Sequence, residues 1–297
     1  MWSFLRTSPS RPWQSRPNIA LLLGSITLMA ALMAYAPAMR ASLLVGALLA
    51  AVVASVSRRL KLLTVSGAVA TFLMGTVIFG IGQIQWSVPM LAFFVLSSLL
   101  SKVGKARKSK LTAVFQKSDT RDAAQVLSNG GVPTAILLFA FFYRHPIWYM
   151  LYLSALAAVT ADTWGTEIGT LSKREPRSVV TMRKVATGTS GGVTALGITG
   201  ALTGAVAVGA SGLPWLSAVG DFSGVVLAGG LASLVDSLLG AVIQAQYRCP
   251  ACGKQTEKRV HCENVKTHCV RGFSWFNNDL VNLCCSISGA MFFLVLR

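Results

Sequence analysis

Residues 147–170 read IWYMLYLSALAAVTADTWGTEIGT, and this stretch decides the class of the protein. Its first fifteen residues carry no charged side chain, whereas Asp162 and Glu167 follow near its end. An α-helix needs about 20 predominantly apolar residues to cross the hydrocarbon core of a bilayer. The stretch therefore predicts a membrane-spanning helix that carries two carboxylates close to one membrane face.

Eight further apolar runs flank this stretch, so we predict an all-α, polytopic transmembrane helical bundle of about nine spans. Hydrophobic residues make up 53% of the 297, charged residues only 12%, and the mean hydropathy is +0.60. These values exceed those of a soluble domain of ordinary composition. The nine predicted spans are residues 18–36, 41–56, 63–84, 87–101, 127–143, 147–170, 190–210, 222–246 and 279–296.

Basic residues are concentrated in alternate connections, which hold 24 of the 27 Lys and Arg. Under the positive-inside rule these connections face the cytosol, so we expect a cytosolic N-terminus and a C-terminus on the outer side. Orientation and anionic headgroups explain the net charge of +17, and nucleic acid is not an expected partner. The predicted cytosolic segments are the tail 1–17, the loops 57–62, 102–126 and 171–189, and a Cys/His-rich insert, 247–278.

Residues 18–297 are interpreted as a single transmembrane domain of a bacterial-type inner membrane or an organelle membrane. The tail before it carries Arg6, Arg11 and Arg16 without an acidic residue. The following apolar run lacks a convincing cleavage site and is followed by many more spans. We expect a retained tail, with an organelle-targeting peptide as the alternative.

Carboxylates within the spans are candidates for function, because an ionised group in hydrocarbon costs several kcal/mol unless it is paired or hydrated. Asp162 and Glu167 lie at the predicted cytosolic end of the sixth span. A structural ion pair between Asp162 and a basic side chain is the alternative interpretation. Asp236, Gly240 and Gln244 form one i, i+4, i+8 line in the eighth span, which suits a polar cleft rather than lipid.

Polar residues also gather where the fifth and ninth spans begin. Asn278, Asp279 and Asn282 are predicted to face inward at the cytosolic entrance of the ninth span. Simple helix capping is the alternative, since Asn and Asp are common N-cap residues. The polar residues that return to one side of the fifth span are Arg121, Asp122, Gln125 and Asn129.

The Gly-rich segment Gly188–Gly192 leads into the seventh span. Such a turn can present backbone N–H groups at a helix N-terminus, where the helix dipole favours phosphate. Carboxylates that hold Mg²⁺, together with cations and amides that hold phosphate oxygens, are the parts that phosphoryl transfer requires. Because Mg²⁺ prefers one or two carboxylates plus substrate phosphates, we do not expect every acidic residue to bind it.

The insert 247–278 contains a Cys-Pro-Ala-Cys-Gly knuckle that is typical of zinc sites. We predict structural zinc, with reduced and metal-free thiols as the alternative. Cys284 and Cys285 lie in the last span and are interpreted as small packing residues. The predicted zinc ligands are Cys249, Cys252, Cys262 and Cys269, with His261 and His268 as alternative ligands.

Five motifs in joint order resemble an integral membrane family, long of unknown function, that includes the plant phytyl-phosphate kinase of tocopherol synthesis and animal transmembrane protein 19. The motifs together span about residues 119–283, and the first four predicted spans carry little of the resemblance. Their order is far more specific than any one of them. The matching motifs are 121–130, 161–169, 188–192, 236–240 and 278–282.

The resemblance implies transfer of a phosphoryl group from a nucleotide, CTP above all, to a membrane-embedded phytyl or polyprenyl monophosphate. Our hypothesis is that Asp162 and Asp236 bind Mg²⁺, while Glu167 and Asp279 assist catalysis. A multi-pass ion or small-molecule transporter and a membrane cytidylyltransferase are the alternatives. The residues assigned to phosphate or nucleotide binding are Arg121, Asp122, Asn129, Gly188, Thr189, Ser190, Gly191 and Asn278.

Overall fold

The computed structural model describes Thr27 and residues 39–104, 120–262 and 264–297, and these residues are mostly helical. Within them, eight α-helices have 17 to 24 residues each. The helices are α1 (Arg40–Arg59), α2 (Val65–Ile81), α3 (Gln83–Leu100), α4 (Ala123–Phe142), α5 (Ile147–Gly169), α6 (Ala195–Gly212), α7 (Val219–Val242) and α8 (Asn278–Leu296).

Eight of the nine predicted spans correspond to these helices, and the tail 1–17 and nearly all of the run 18–36 lie outside the described residues. Six of the described helices are long and apolar enough to cross a membrane, by length and composition. This supports a multi-pass helical protein but not the predicted number of nine spans, and the predicted orientation stays a prediction. The six are α1, α3, α4, α6 with the following 3₁₀ turn (Ala195–Trp215), α7 and α8.

Helix α5 lies at the centre of the bundle and packs against α4, α6, α7 and α8. Every residue from Tyr149 to Ala161 is buried, because this half of the helix is apolar on all sides. Small residues allow neighbouring backbones to approach it closely. A Cβ atom on Gly289 of α8 would lie 2.5 Å from the Ser154 carbonyl oxygen, and one on Gly229 of α7 would lie 2.9 Å from the Ala157 Cβ. These contacts set where the carboxylates of α5 and α7 lie.

Short strands make the all-α prediction wrong in detail. The strands are β1 (Arg177–Ser178), β2 (Gly192–Val193), β3 (Gln246–Arg248), β4 (Gln255–Thr256), β5 (Val260–His261), β6 (Val265–Lys266) and β7 (His268–Arg271). β1 pairs with β2, β5 pairs with β6, and β3 lies between β4 and β7 in an antiparallel sheet. The insert has too few apolar residues for a helical face, so tight turns and strand pairing satisfy its backbone instead.

Both predicted loops that flank the bundle are anchored to it. Arg121 donates its backbone N–H to the Leu62 carbonyl and accepts from the Thr64 N–H, each at 2.9 Å. The pairing of β1 with β2 closes the 171–189 segment, and Val179 donates to the Gly191 carbonyl at 2.9 Å. Residues 105–119 of the predicted loop 102–126 lie outside the described residues.

Candidate active site

A cavity of about 500 Å³ lies between α5, α6 and α7. Its polar part collects residues from six separate stretches of the chain, and its other walls are apolar. The polar residues that line it include Arg121, Gln125, Asn129, Asp162, Thr166, Glu167, Thr189, Ser190, Asp236, Ser237, Gln244, Glu257 and Asn278. Most of the sequence-predicted site residues therefore meet in one place.

Asp162 of α5 and Asp236 of α7 are neighbours in this cavity, and their carboxyl groups share a side-chain hydrogen bond. The Oδ2 atom of Asp236 is buried without a hydrogen-bond partner. Two carboxyl groups this close cannot both be ionised unless a cation neutralises them. An oxygen donor pair with one unsatisfied buried oxygen fits a hard divalent cation such as Mg²⁺.

Arg121 is the cation of the cavity wall, at the entrance to α4. Its guanidinium lies 5.7 Å from the ring centroids of both Phe93 and Phe94, within the range of cation–π attraction. Burial lowers the pKa of Arg121 from its ordinary value, and the negative charge of Glu167 acts in the opposite direction. An arginine stays protonated under such a shift, so the cavity wall carries a positive charge at this position.

Asp122 is not among the residues that line the cavity, and its phosphate-binding role stays a prediction. Its side chain accepts the backbone N–H of Gln125 at 3.0 Å, and Gln125 Oε1 accepts from the Asp122 N–H at 3.3 Å. This capping box begins α4. Arg121, just before this cap, and Asn129, further along the helix, both line the cavity.

The Gly-rich turn, residues 188–191, lines the cavity as predicted. Gly191 has a φ of +78°, and a Cβ atom there would lie 2.4 Å from the Ala241 Cβ, so only glycine fits this conformation and this contact. The helix expected to begin at residue 190 instead begins at Ala195, with the Thr194 side chain accepting from the Gly197 N–H at 2.9 Å. The turn is therefore a separate loop before β2, not the first turn of α6.

Glu257 of the insert reaches the cavity, a position that was not predicted from the sequence. Its carboxylate accepts from Ser190 Oγ at 2.6 Å and from Gln244 Nε2 at 2.9 Å, while Gln246 Nε2 donates to Ser190 Oγ at 2.7 Å. Glu257 is only 7% exposed. Three basic residues surround it in the sequence, Lys254, Lys258 and Arg259, and such a pattern resembles a solvated surface. Gln244 was the one indication in the sequence. It lies on the same helical line as Asp236, and a buried amide there requires a hydrogen-bond partner from elsewhere in the chain.

Of the three polar residues predicted to face inward at the start of α8, only Asn278 is among the residues that line the cavity. Asn277 is the N-cap and accepts from the Leu280 N–H at 3.1 Å, whereas Asn278 lines the cavity. Asp279 lies in the first turn and is not among the residues that line the cavity, because successive helical side chains point about 100° apart. Asn282 Oδ1 is buried without a hydrogen-bond partner.

The insert brings four potential metal ligands together, but not the four predicted first. The ligand atoms of Cys249, Cys252, His261 and Cys262 all lie within 4.8 Å of one another. Cys269 lies outside this group in β7, where its Sγ donates to the Arg271 carbonyl at 3.4 Å, so His261 takes the fourth place. His268 and Cys269 lie in β7, paired with Arg248 and Tyr247 of β3, and neither belongs to the group of four.

Two thiols of this group have shifted pKa values. Burial raises the pKa of Cys249, but hydrogen bonds from the Cys252 backbone N–H and from His261 outweigh it and bring the pKa to about 6. The hydrogen bond with Cys252 raises the pKa of Cys262 to about 11. The pKa values of Cys249 and Cys262 are therefore shifted in opposite directions, as expected for closely spaced metal-binding thiols.

Fold and cavity define a multi-pass helical membrane protein with a carboxylate-containing polar site. The chain belongs to the family described as integral membrane protein DUF92, whose model matches residues 47–290, and this confirms the family expected from the motifs. Protein PGR of Arabidopsis thaliana is 31% identical over 244 residues, covering 73% of this chain and 84% of that protein.

Two further relatives extend the comparison. An uncharacterized membrane protein of Methanocaldococcus jannaschii, MJ0933, is 32% identical over 206 residues, covering 68% of this chain and 83% of that protein. Protein VTE6, chloroplastic, of Arabidopsis thaliana is 24% identical over 236 residues, covering 74% of this chain and 61% of that protein. No solved structure matches this chain.

Proposed function

We propose that this protein is a Mg²⁺-dependent prenyl-phosphate kinase that transfers the γ-phosphoryl group of a nucleotide, CTP above all, to a phytyl or polyprenyl monophosphate. The observation that carries the proposal is the composition of one cavity. Its polar end has the paired carboxylates, a half-buried arginine and a Gly-rich turn, whereas its other end is apolar and open to the surface of the bundle. A phosphorylated lipid likewise has a charged headgroup, which suits the polar end, and an apolar tail, which suits the other end.

Asp162 and Asp236 would hold the metal through their neighbouring carboxylates. When bound, Mg²⁺ would neutralise negative charge on the nucleotide phosphates. Glu167 lines the same cavity and interacts electrostatically with Arg121, so it orients that cation rather than completing the metal site. Asp279, outside the cavity lining, is left without a catalytic role in this proposal.

Arg121 and the Gly-rich turn would hold the phosphates between them. The guanidinium is restrained by Phe93 and Phe94, and the turn is restrained by the Ser190–Glu257 hydrogen bond. Cationic and hydroxyl donors in a site shielded from water stabilise charge that develops during phosphoryl transfer. Asn129 and Asn278 supply further polar groups to the same wall.

The apolar end of the cavity suits a hydrocarbon tail. Its side chains line the cavity and are also exposed on the surface of the bundle between α6 and α7, namely Ile198, Leu202, Leu227, Leu231 and Leu234. A tail along these residues stays in lipid, each buried CH₂ contributing about 0.8 kcal/mol, and only the headgroup enters the polar end.

The proposed reaction needs no strong base. An oxygen of the acceptor monophosphate, already anionic, attacks the γ-phosphorus, and the bond from that phosphorus to the β–γ bridging oxygen breaks. The products are the prenyl diphosphate and the nucleoside diphosphate. The protein's part is to place the two phosphates in line and to neutralise their charge.

The site is proposed to face the cytosol, where nucleotides are available. The Gly-rich turn ends the predicted cytosolic segment 171–189, and Glu257 lies in the predicted cytosolic insert 247–278. The motif resemblance to a family that includes a plant phytyl-phosphate kinase supports the same reaction, and the cavity gathers residues from each of the five motifs.

The test uses purified protein in detergent with phytyl, geranylgeranyl and undecaprenyl monophosphates, each offered with CTP or ATP labelled at the γ-phosphate. We expect labelled lipid diphosphate and an equal amount of nucleoside diphosphate, only when Mg²⁺ is present. Release of pyrophosphate from CTP would instead indicate a cytidylyltransferase. Nucleotide-independent ion or solute flux in proteoliposomes, with no labelled lipid, would indicate a transporter.

A further inference from the structure

The four ligand atoms of the insert lie within 4.8 Å of one another, close enough to surround one metal ion. His261 Nδ1 lies 3.5 Å from Cys252 Sγ and 3.1 Å from Cys262 Sγ. Zinc bonds of about 2.3 Å to sulfur and 2.0 Å to nitrogen place tetrahedral ligand atoms roughly 3.5–3.8 Å apart. Three sulfurs and one imidazole are a ligand set that favours zinc over the harder Mg²⁺ or Ca²⁺.

The backbone forms two tight turns that present these ligands in pairs. In the first, Cys249 donates its N–H to the Lys254 carbonyl at 3.0 Å and accepts from the Gly253 N–H at 2.8 Å. Gly253 has a φ of +69°, the left-handed conformation that lets this turn close behind Cys252. The second turn joins β5 to β6 and carries His261 and Cys262. Such paired turns are the usual frame of a structural zinc site.

The stretch between the two ligand pairs carries Glu257, five residues after Cys252 and four before His261. Thr256 is fully buried and Glu257 is 7% exposed, so this stretch is pressed against the bundle. Glu257 then meets Ser190 of the Gly-rich turn and Gln244 after α7. A metal that joins the two turns therefore fixes both ends of the segment that reaches the cavity.

We propose that Cys249, Cys252, His261 and Cys262 bind one structural zinc ion, and that this ion holds Glu257 against the Gly-rich turn. Glu257 is a positioning residue, acting through Ser190 on the turn that holds nucleotide phosphates. That second part rests on the proposed kinase function, whereas zinc binding does not. Metal binding of this type stabilises the fold of the segment that supplies the ligands.

Zinc content tests the first part on the full-length protein in detergent, after dialysis against metal-free buffer. We expect about one zinc per chain by inductively coupled plasma mass spectrometry in the wild type. Cys252→Ser and His261→Ala should retain little, because three ligands are left. Cys269→Ser is the matched control and should retain the full amount. A zinc-free wild type, or full retention in His261→Ala with loss in Cys269→Ser, would overturn the site.

Nucleotide kinetics test the second part. Glu257→Ala removes the acceptor for Ser190 and Gln244, and we expect the nucleotide KM to rise about tenfold with zinc retained and kcat changed much less. Glu257→Gln keeps an acceptor oxygen and should restore most of the nucleotide affinity. Cys252→Ser should raise the same KM, and the double variant should be no worse than the more affected single variant. Additive effects, or an unchanged KM in Glu257→Ala, would exclude this coupling.

A third measurement separates failure of this coupling from failure of the proposed kinase function. The segment 171–189 carries Arg183 and Lys184, both exposed sites for trypsin. If the zinc site and Glu257 hold this segment in place, Glu257→Ala and Cys252→Ser should both speed its cleavage, with or without nucleotide. Equal cleavage rates in these variants and the wild type would contradict the coupling even in a protein without kinase activity.

Discussion

The helical bundle and the Cys/His-rich insert contribute to the same cavity but are held in place by different interactions. The bundle places Asp162 and Asp236 through close backbone approach around the buried helix α5. The insert places Glu257 through short strands, two tight turns and side-chain hydrogen bonds. One region depends on apolar packing and the other on polar contacts and, as proposed, a metal. Substitutions should therefore affect the two regions in different ways.

The largest effect is expected from the bundle's carboxylates. Asp236→Asn should lower lipid diphosphate formation on the order of 10²–10³-fold, because an amide cannot neutralise a divalent cation. Zinc content should stay unchanged. The measurement is the initial rate of product formation at saturating CTP and Mg²⁺. Asp221→Asn, in the first turn of the same helix, is the control, and equal losses in both variants would remove Asp236 from the site.

Packing of the bundle is tested by a matched pair of glycine substitutions. Gly289→Ala should lower the stability of the folded protein by about 1–3 kcal/mol, since its Cβ would meet the Ser154 carbonyl oxygen. In Gly131→Ala the new Cβ has nothing within 4 Å, so no loss is expected there. Thermal unfolding in detergent measures the difference. Equal midpoints for the two variants would contradict the central role of α5 packing.

A smaller effect is expected when the charge of Arg121 is kept but its shape is changed. Arg121→Lys should reduce kcat/KM for CTP about tenfold, because an ammonium group cannot make the planar, bidentate contacts of a guanidinium. The unfolding temperature of Arg121→Lys should stay close to that of the wild type. Lys61→Arg, an exposed substitution elsewhere on the surface, is the control. Full activity of Arg121→Lys would show that a point charge suffices at this position.

The smallest effect should depend on the acceptor. A larger side chain in Gly230→Leu would meet Leu202 and narrow the opening between α6 and α7. We expect about threefold weaker use of undecaprenyl monophosphate, with little change for a short-chain acceptor. Val53→Phe, in a second apolar cavity that shares Arg121 with the first, is the control. A chain-length effect confined to Val53→Phe would place the lipid tail in that second cavity instead.

Much of the bundle was predictable because hydropathy and charge are local properties. Helix boundaries agreed within a few residues for most predicted spans, and Asp162, Glu167, Arg121 and Asn129 meet in the cavity as expected. Asp122 was assigned to phosphate binding and Asp279 to catalysis, from helical spacing and motif membership. Those signals cannot tell a capping side chain, or one turned a further 100°, from one that faces the cavity.

The insert was harder to predict because its contacts join residues that are distant in the sequence. The Cys-Pro-Ala-Cys-Gly knuckle indicated a metal site, but which later residues complete it depends on strand pairing, which places His261 rather than Cys269 beside the knuckle. Glu257 carried no local signal. Only the tertiary structure shows its contact: Glu257 follows β4 directly, and its carboxylate lies against Ser190.

By itself, the order of apolar runs and basic loops determined a multi-pass helical protein, and the positions of the acidic residues in those runs predicted carboxylates near one membrane face. The tertiary structure alone decided that Asp162 and Asp236 share a hydrogen bond, that the Gly-rich turn stands apart from α6, and that the insert reaches the cavity. The reason is physical. Transfer of a side chain into lipid depends on its own polarity, whereas a site depends on the distances between groups that only packing brings together.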